Sequence, residues 1–146
     1  ETIETSKLCG LSTRQISIFD CCRSYPVILQ DSVQSSMSKI MKSANVSLRN
    51  RYAARIMQAI PQQVTLYSCS IGQVSYDTSA GGVYLQNLLR AGTVIEGAYK
   101  LVGEAHEDTV VPTLKFSRSQ QDGEQRPDAV LPKCLSSQQL IFAIKP

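Results

Sequence analysis

Gln15-Ile16-Ser17-Ile18-Phe19-Asp20-Cys21-Cys22-Arg23-Ser24 is the stretch on which the reading of this chain turns. Its first five residues alternate polar and apolar side chains and are rich in types that suit a pleated, half-buried strand. That strand runs straight into a pair of cysteines, so it delivers two thiols to its carboxyl end. Pro26 then blocks a regular continuation, because it has no backbone donor. In an open α/β sheet, ligands collect at the carboxyl ends of strands, where loops present side chains on a fixed frame. The segment from Asp20 to Ser24 is therefore the first candidate site.

Outward from that turn, Asp31 and Ser32 are capping residue types, and Val33, Met37, Ile40, Met41 and Ala44 recur at helical spacing on one face. Ser47 caps a second helix striped by Leu48, Tyr52, Ile56 and Ile60 and closed by Pro61. Val64 to Cys69 is short and β-branched or aromatic, which predicts a second strand. It empties into Ser70 to Gly82, a polar, Gly-containing stretch that forms the second strand-end loop. From Val83 to Ala91 the pairs Tyr84, Leu85 and Leu88, Leu89 form a helical stripe, with Gly92 as its stop. Thr93 and Glu96 have capping-box spacing and open a helix through Ala98, Leu101, Val102 and Ala105. Val110 to Phe116 reads as a strand, Ser117 to Asp128 as a polar loop with an Asp122-Gly123 turn, and Leu140 to Ile144 as a terminal strand. Strands alternating with helices predict an α/β fold with a sheet between helices.

The chain has 146 residues, 42% of them hydrophobic, with no repeat or low-complexity tract, so it reads as one globular unit spanning 1–146. Fifteen Lys and Arg against twelve Asp and Glu leave a formal charge of +3, and there is no Trp. The basic residues are scattered apart from Arg49, Arg51 and Arg55. The dense basic stripe with interleaved aromatics that marks nucleic-acid or anionic-membrane surfaces is missing, so neither is an expected partner. No stretch approaches the roughly 20 apolar residues of a membrane span, and the first residues are polar and acidic rather than signal-like. Cys9, Cys21, Cys22, Cys69 and Cys134 are five in number, lack metal-site spacing and have a single His to help them. No metal and no cofactor is expected, and free thiols fit a reducing cytoplasm. A start at Glu1 rather than Met fits a processed or truncated piece.

The segment Ile16 to Ser24 resembles the strand and nucleophile turn of caspases, whose signature has the form Gln-Ala-Cys-Arg-Gly, and of metacaspases, which carry Asp in place of that Gln. Leu66 to Leu89, Leu-Tyr-Ser-Cys-Ser-Ile-Gly-Gln-Val-Ser-Tyr-Asp-Thr-Ser-Ala-Gly-Gly-Val-Tyr-Leu-Gln-Asn-Leu-Leu, is similar to the next caspase strand, its substrate-pocket loop and the following helix. Order and separation agree too, so the resemblance covers most of the chain. It implies a caspase-like mixed, mostly parallel sheet between helices, here a partial domain completed by an upstream segment. It also implies a cysteine endopeptidase. The departures are Ser24 where caspases have Gly, a polar insertion around Ser117 to Asp128, and the absence of the segment that carries the catalytic His.

On that resemblance Cys22, which precedes the Arg, is the nucleophile, and Cys21 takes a position usually filled by a small buried residue. The thiolate is the attacking species, an imidazole serves as base and then protonates the leaving amine, and the Cys22 N–H is half of an oxyanion hole. The catalytic His of such enzymes lies roughly 50 residues before the Cys, hence on an upstream fragment that becomes an expected partner beside the peptide substrate and an activating protein. His106 sits in Glu104-Ala-His-Glu-Asp after a helix and reads as a solvated helix end rather than the base.

Caspases hold an Asp side chain with the signature Gln and an Arg that follows a Ser-aromatic pair. Here those positions are Asp20 and, after Ser75 and Tyr76, Asp77. Two carboxylates favour a guanidinium or ammonium, so the resemblance implies metacaspase-like cleavage after Arg or Lys. Plainer readings stand beside these. Cys21 and Cys22 are then buried fillers, Asp20 a cap, and Asp77 an Asx-turn ahead of Thr78. Lys39, Lys42, Arg49 and Arg51 on the helices of residues 30–60 are solvated faces, or that segment is a cleavable regulatory linker. An inactive caspase-like module that binds partners is the alternative for the whole chain.

Overall fold

The computed structural model of the chain describes residues 5–23 and 46–146. In chain order these form a 3₁₀ turn (Thr5–Leu8), β1 (Arg14–Phe19), α1 (Val46–Gln58), β2 (Gln62–Tyr67), β3 (Asp77–Thr78), β4 (Gly81–Gly82) and α2 (Val83–Ala91). They continue with β5 (Tyr99–Leu101), α3 (Val102–Arg118), β6 (Asp128–Val130), a second 3₁₀ turn (Ser136–Gln138) and β7 (Ile141–Ile144). The expected helix on Val33, Met37, Ile40, Met41 and Ala44 lies outside the described residues.

β1 and β2 pair in parallel, with Ile16 beside Val64, Ile18 beside Leu66 and Phe19 beside Tyr67. β6 joins the other edge of β2 antiparallel, giving the order β1-β2-β6. As the middle strand, β2 buries both faces, so Val64, Thr65 and Leu66 are all inaccessible. That is why its sequence reads as a run rather than an alternation. β5 and β7 form a separate antiparallel pair, and β3 and β4 a two-residue ladder. The fold is α/β with mixed sheets. One core joins Val64 and Leu66 to Ala59, Tyr84, Leu88, Ala91, Val102, Ala105 and Leu140, with Ile16, Ile56 and Phe142 packed against it.

α2 spans the residues expected of it, but its buried stripe is Tyr84, Leu88 and Ala91, while Leu85 and Leu89 face outward. Spacing of four and three keeps to one helix face, and here that face passes through Tyr84 and Leu88 rather than through the residue after each. The helix expected from Thr93 does not form. Thr93 instead donates its hydroxyl to Arg90 O at 2.7 Å, closing α2. Residues 99–101 become a strand because β7 offers them an edge, with Tyr99 beside Ile144. Only the carboxylate half of such a box forms, and it lies eight residues later, where Glu104 accepts the Leu101 N–H at 3.0 Å.

Val110 to Phe116 is not a strand but the middle of α3. Its β-branched residues misled the local reading, whereas Val102, Ala105, His106, Thr109, Thr113 and Ser117 fall on one buried helical face. That face is small enough to lie against α2, and Asn87 donates to Thr113 Oγ1 at 3.1 Å. α1 begins by Val46, with Ser47 inside its first turn rather than before it. Arg49 and Arg51 are exposed as expected. Arg55 is instead buried, its guanidinium 4.6 Å above the Tyr99 ring and donating to Ser136 O at 3.3 Å.

Gly92 stops α2 for a packing reason, not a conformational one. Its φ is an ordinary −65°, but a Cβ there would stand 2.7 Å from Phe142 Cε1. Gly92→Ala should therefore destabilise the fold by about 1–3 kcal/mol, the usual cost of forcing atoms into a packed core. Gly97→Ala, where a Cβ meets nothing within 4 Å, should be near neutral. Denaturant unfolding of the two variants compares them, and equal midpoints would refute the packing account.

Candidate active site

The turn after β1 hangs from the loop after β2. Ser68 N–H donates to Phe19 O at 2.9 Å, extending the ladder by one step, and Gly72 N–H donates to Arg23 O at 2.8 Å. The Cys21 carbonyl accepts from Ser68 Oγ at 3.1 Å and from Cys69 Sγ at 3.5 Å. Arg23 lies 3.7 Å over the Tyr67 ring and pairs with Asp128 Oδ2 at 2.9 Å, so a stacked cation closes the turn against the sheet.

Both Cys21 and Cys22 are exposed and it is Cys69 that is fully buried, so the filler reading fits Cys69 and not the pair. Cys22 Sγ accepts the Ser75 N–H at 3.2 Å and lies 3.9 Å from Ser75 O. Partial burial, then the neighbouring Cys22 and Asp20, push the Cys21 thiol above its usual range, with Arg23 pulling it back. Cys21 is therefore a poor source of thiolate.

Asp20 points into the first turn of α2. A Cβ on Gly82 would sit 1.8 Å from Asp20 Oδ2, so this glycine is a cradle for the carboxylate. Ser75 Oγ stands 3.3 Å from Asp20 Oδ1. Burial and then the Asp77 charge push the Asp20 carboxyl up, while the Ser75 hydroxyl, the Leu85 N–H and the nearby Ser68 hydroxyl pull it down. Asp20 therefore lies across the loop against the backbone at the start of α2. Asp77 lies in β3, opposite Gly82, and is exposed. Among the described residues it makes no side-chain hydrogen bond, so an Asx-turn does not account for it. Neither carboxylate has a cation at ion-pair distance there.

Ser75 touches both Cys22 and Asp20, whereas Tyr76 is turned toward α3. Its ring meets Phe116 edge-on at 6.1 Å and its hydroxyl donates to Gly123 O at 2.8 Å. The polar loop between α3 and β6 supplies a residue that the sequence did not mark, Gln125. Fully buried, it accepts the Tyr76 N–H at 3.1 Å and donates to Ser68 O at 3.0 Å and Ser75 Oγ at 3.3 Å. A glutamine in a run of Gln, Asp, Gly and Glu carries no periodic signal. Gly82 and Arg23 went unassigned for the same reason, since their partners are distant in sequence.

His106 is not a solvated helix end. It is 4% exposed, on the face of α3 that meets α2, and its Nδ1 is 2.9 Å from the hydroxyl of the fully buried Tyr84. The carboxylates on either side of it in sequence, Glu104, Glu107 and Asp108, lie on exposed faces of the helix while the imidazole turns inward. Burial pushes the His106 pKa down, with Glu107 and Asp128 opposing. The imidazole is then neutral and shares one hydrogen bond with the Tyr84 hydroxyl, whose own pKa burial and Asp20 push up.

A family model described as the caspase domain matches residues 4–129, and the chain belongs to that family of cysteine peptidases. The match supports a cysteine peptidase kind of function, a hydrolase in general. No curated protein and no solved structure matches the chain significantly. Among the described residues no helix is long and apolar enough to cross a membrane, and no group of three or more potential ligands is placed to hold a metal ion.

The buried histidine links stability to pH. Its folded pKa lies below the unfolded value near 6.5, so the unfolded chain binds the extra proton first. The stability that neutral His106 contributes is full above that value and is lost as pH falls through the window below it. His106→Gln should flatten this limb of a plot of denaturation midpoint against pH, and an unchanged limb would mean that another group carries it.

Proposed function

We propose that this chain is the nucleophile-bearing C-terminal part of a caspase-type cysteine endopeptidase that cleaves after Arg or Lys. It acts in the cytoplasm, in a proteolytic signalling, death or defence pathway, and is switched on by an activating protein or by cleavage within residues 30–60. α1 packs against β7 and lends Ile56 to the core, so the cleavable part of that connection lies before α1. The observation that carries the specificity is the coupled pair Asp20 and Asp77 beside Cys22, without a cation of its own among the described residues.

Cys22 Sγ attacks the carbonyl carbon of the scissile bond, and the Cys22 N–H receives the oxyanion. Collapse breaks the C–N bond, the amine leaves with a proton from an imidazolium, and water hydrolyses the thioester. The one His of this chain is committed to Tyr84, so the imidazole comes from an upstream segment. A guanidinium entering beside Asp20 and Asp77 takes charge-assisted bonds and relieves their mutual repulsion, while an acidic side chain meets like charge.

Cys22→Ala should abolish turnover with the fold intact, and Cys21→Ala, at an exposed position, should change stability by no more than about 0.5 kcal/mol. Labelling of Cys21 by a substrate-mimicking electrophile would refute the assignment. Residues 1–146 alone should turn over at least about 10²-fold more slowly than with the upstream segment, because the leaving amine lacks its proton donor.

In a P1 peptide library, Asp20→Asn or Asp77→Asn should lower kcat/KM for Arg substrates about tenfold or more. Asn has nearly the shape of Asp and fits the same space against Gly82, so the loss reads charge rather than folding. The two effects should not add, since one guanidinium spans both carboxylates. A wild type that prefers Asp or Glu at P1 would refute the pocket.

A further inference from the structure

Gln125 does more than fill the space under the loop. A backbone N–H only donates and a carbonyl only accepts, so the Tyr76 N–H must face Oε1 of Gln125 and Ser68 O must face Nε2. The amide orientation is therefore set by the network. Ser75 Oγ lies 3.3 Å from that same Nε2 and must accept from it. The hydroxyl's own hydrogen is left for Asp20 Oδ1, also 3.3 Å away, which as a carboxylate oxygen only accepts. Neighbouring bonds hold the same two loops together. Arg126 N–H donates to Gln73 Oε1 at 2.8 Å, Ser70 Oγ donates to Arg126 O at 3.1 Å, and Tyr76 binds Gly123.

We propose that Gln125 is a specificity-positioning residue of the acidic pocket. It directs the Ser75 hydroxyl hydrogen onto Asp20, and it holds Tyr76 so that Asp77, the next residue, stays beside that carboxylate. This rests on Asp20 and Asp77 being the seat of a basic P1 side chain.

The groups that act on Asp20 are Asp77 from β3, the Ser68 hydroxyl from the end of β2 and the Ser75 hydroxyl from its loop. The Leu85 N–H and the buried Tyr84 face it from α2, and Cys21 from its own turn. Three of these, Ser75, Leu85 and Ser68, favour the ionised form. Loss of the Ser75 donor leaves burial and Asp77 less opposed, so Asp20 keeps its proton to higher pH and a cation loses its partner over that range.

The test is Gln125→Met, similar in volume but without donor or acceptor. In the full-length peptidase, KM for an Arg substrate should rise about tenfold, the worth of one hydrogen bond to a charged group, while kcat falls less. The acidic limb of kcat/KM should move to higher pH, and Gln125→Met should add little in an Asp20→Asn background. Independently of turnover, the carboxyl-carbon NMR titration of Asp20 should shift upward. A folded variant with KM, pH limb and Asp20 titration all unmoved overturns the proposal. If Gln125→Met does not fold, Ser75→Ala keeps both backbone bonds of Gln125 and must produce the same upward shift, and an unmoved Asp20 there overturns it equally. A wild type without basic preference defeats the pocket reading instead, and the Asp20 titration still decides the link from Gln125.

Discussion

The parallel, in-register pairing of β1 with β2 is the constraint on which the rest depends. It sends the Cys21-Cys22 turn and the Ser70–Gly82 loop out of the same end of the sheet, side by side, which is why residues 53 apart in sequence can share a hydrogen bond at Cys22 and Ser75. Parallel neighbours need a long crossover, and the entropy of closing it grows only slowly with its length. Because β2 is buried on both faces, alternation alone pins its register weakly. Specific contacts supply what alternation does not. The Phe19 and Tyr67 rings stack at 5.5 Å, Arg23 covers Tyr67, and Ser68 continues the ladder onto Phe19. Each of these would be lost in a slip of one residue.

Beneath the site the molecule tolerates an unusually polar interior. Ser68, Gln125, His106, Thr109, Thr113 and Ser117 are all buried. Such groups are costly unless paired, and here they are paired with each other or with backbone, as His106 is with Tyr84 and Gln125 with three partners. Among the described residues only Arg55 Nη1 is a buried side-chain nitrogen or oxygen without a partner. Small polar residues also let α2 and α3 approach closely. A satisfied polar network is stiffer than an oily one, because its bonds are directional. That stiffness is useful where a loop must hold a hydroxyl and a carboxylate in one arrangement.

What was legible in the sequence, and what was not, divides along the range of the interaction. β1, α2 and the terminal strand carry local patterns of their own, β2 shows as a β-branched and aromatic run, and Gly92 ends its helix. The errors fall where a distant partner overrules local preference. β7 turns Tyr99–Leu101 into a strand, and α2 turns the β-branched stretch from Val110 into helix α3. His106 was misjudged because its neighbours in sequence are charged while its neighbours in space are Tyr84 and the core. At the site, Cys22, Ser75, Asp20 and Asp77 could be gathered from two motifs before any coordinates, yet Gln125 and Gly82 could not. The reason is that each acts through a contact with a loop from elsewhere in the chain, and a single sequence carries no trace of that contact.

Asp20 occupies a place where opposing demands meet. A helix N-terminus with free N–H groups favours an anion and often binds one from outside. In this protein a carboxylate of the chain itself, Asp20, lies against Gly82 at that end of α2. The net field that reaches the loop is then set by the second carboxylate, Asp77, whose repulsion together with burial outweighs the bonds that favour charge on Asp20. A pair in that condition gains by accepting a cation, which removes the repulsion and replaces lost solvation in one step. An incoming carboxylate would be a third negative charge beside these two. The carboxylate at the start of α2 thus favours a cation over an anion at its side, which is the bias that the proposed basic specificity draws on.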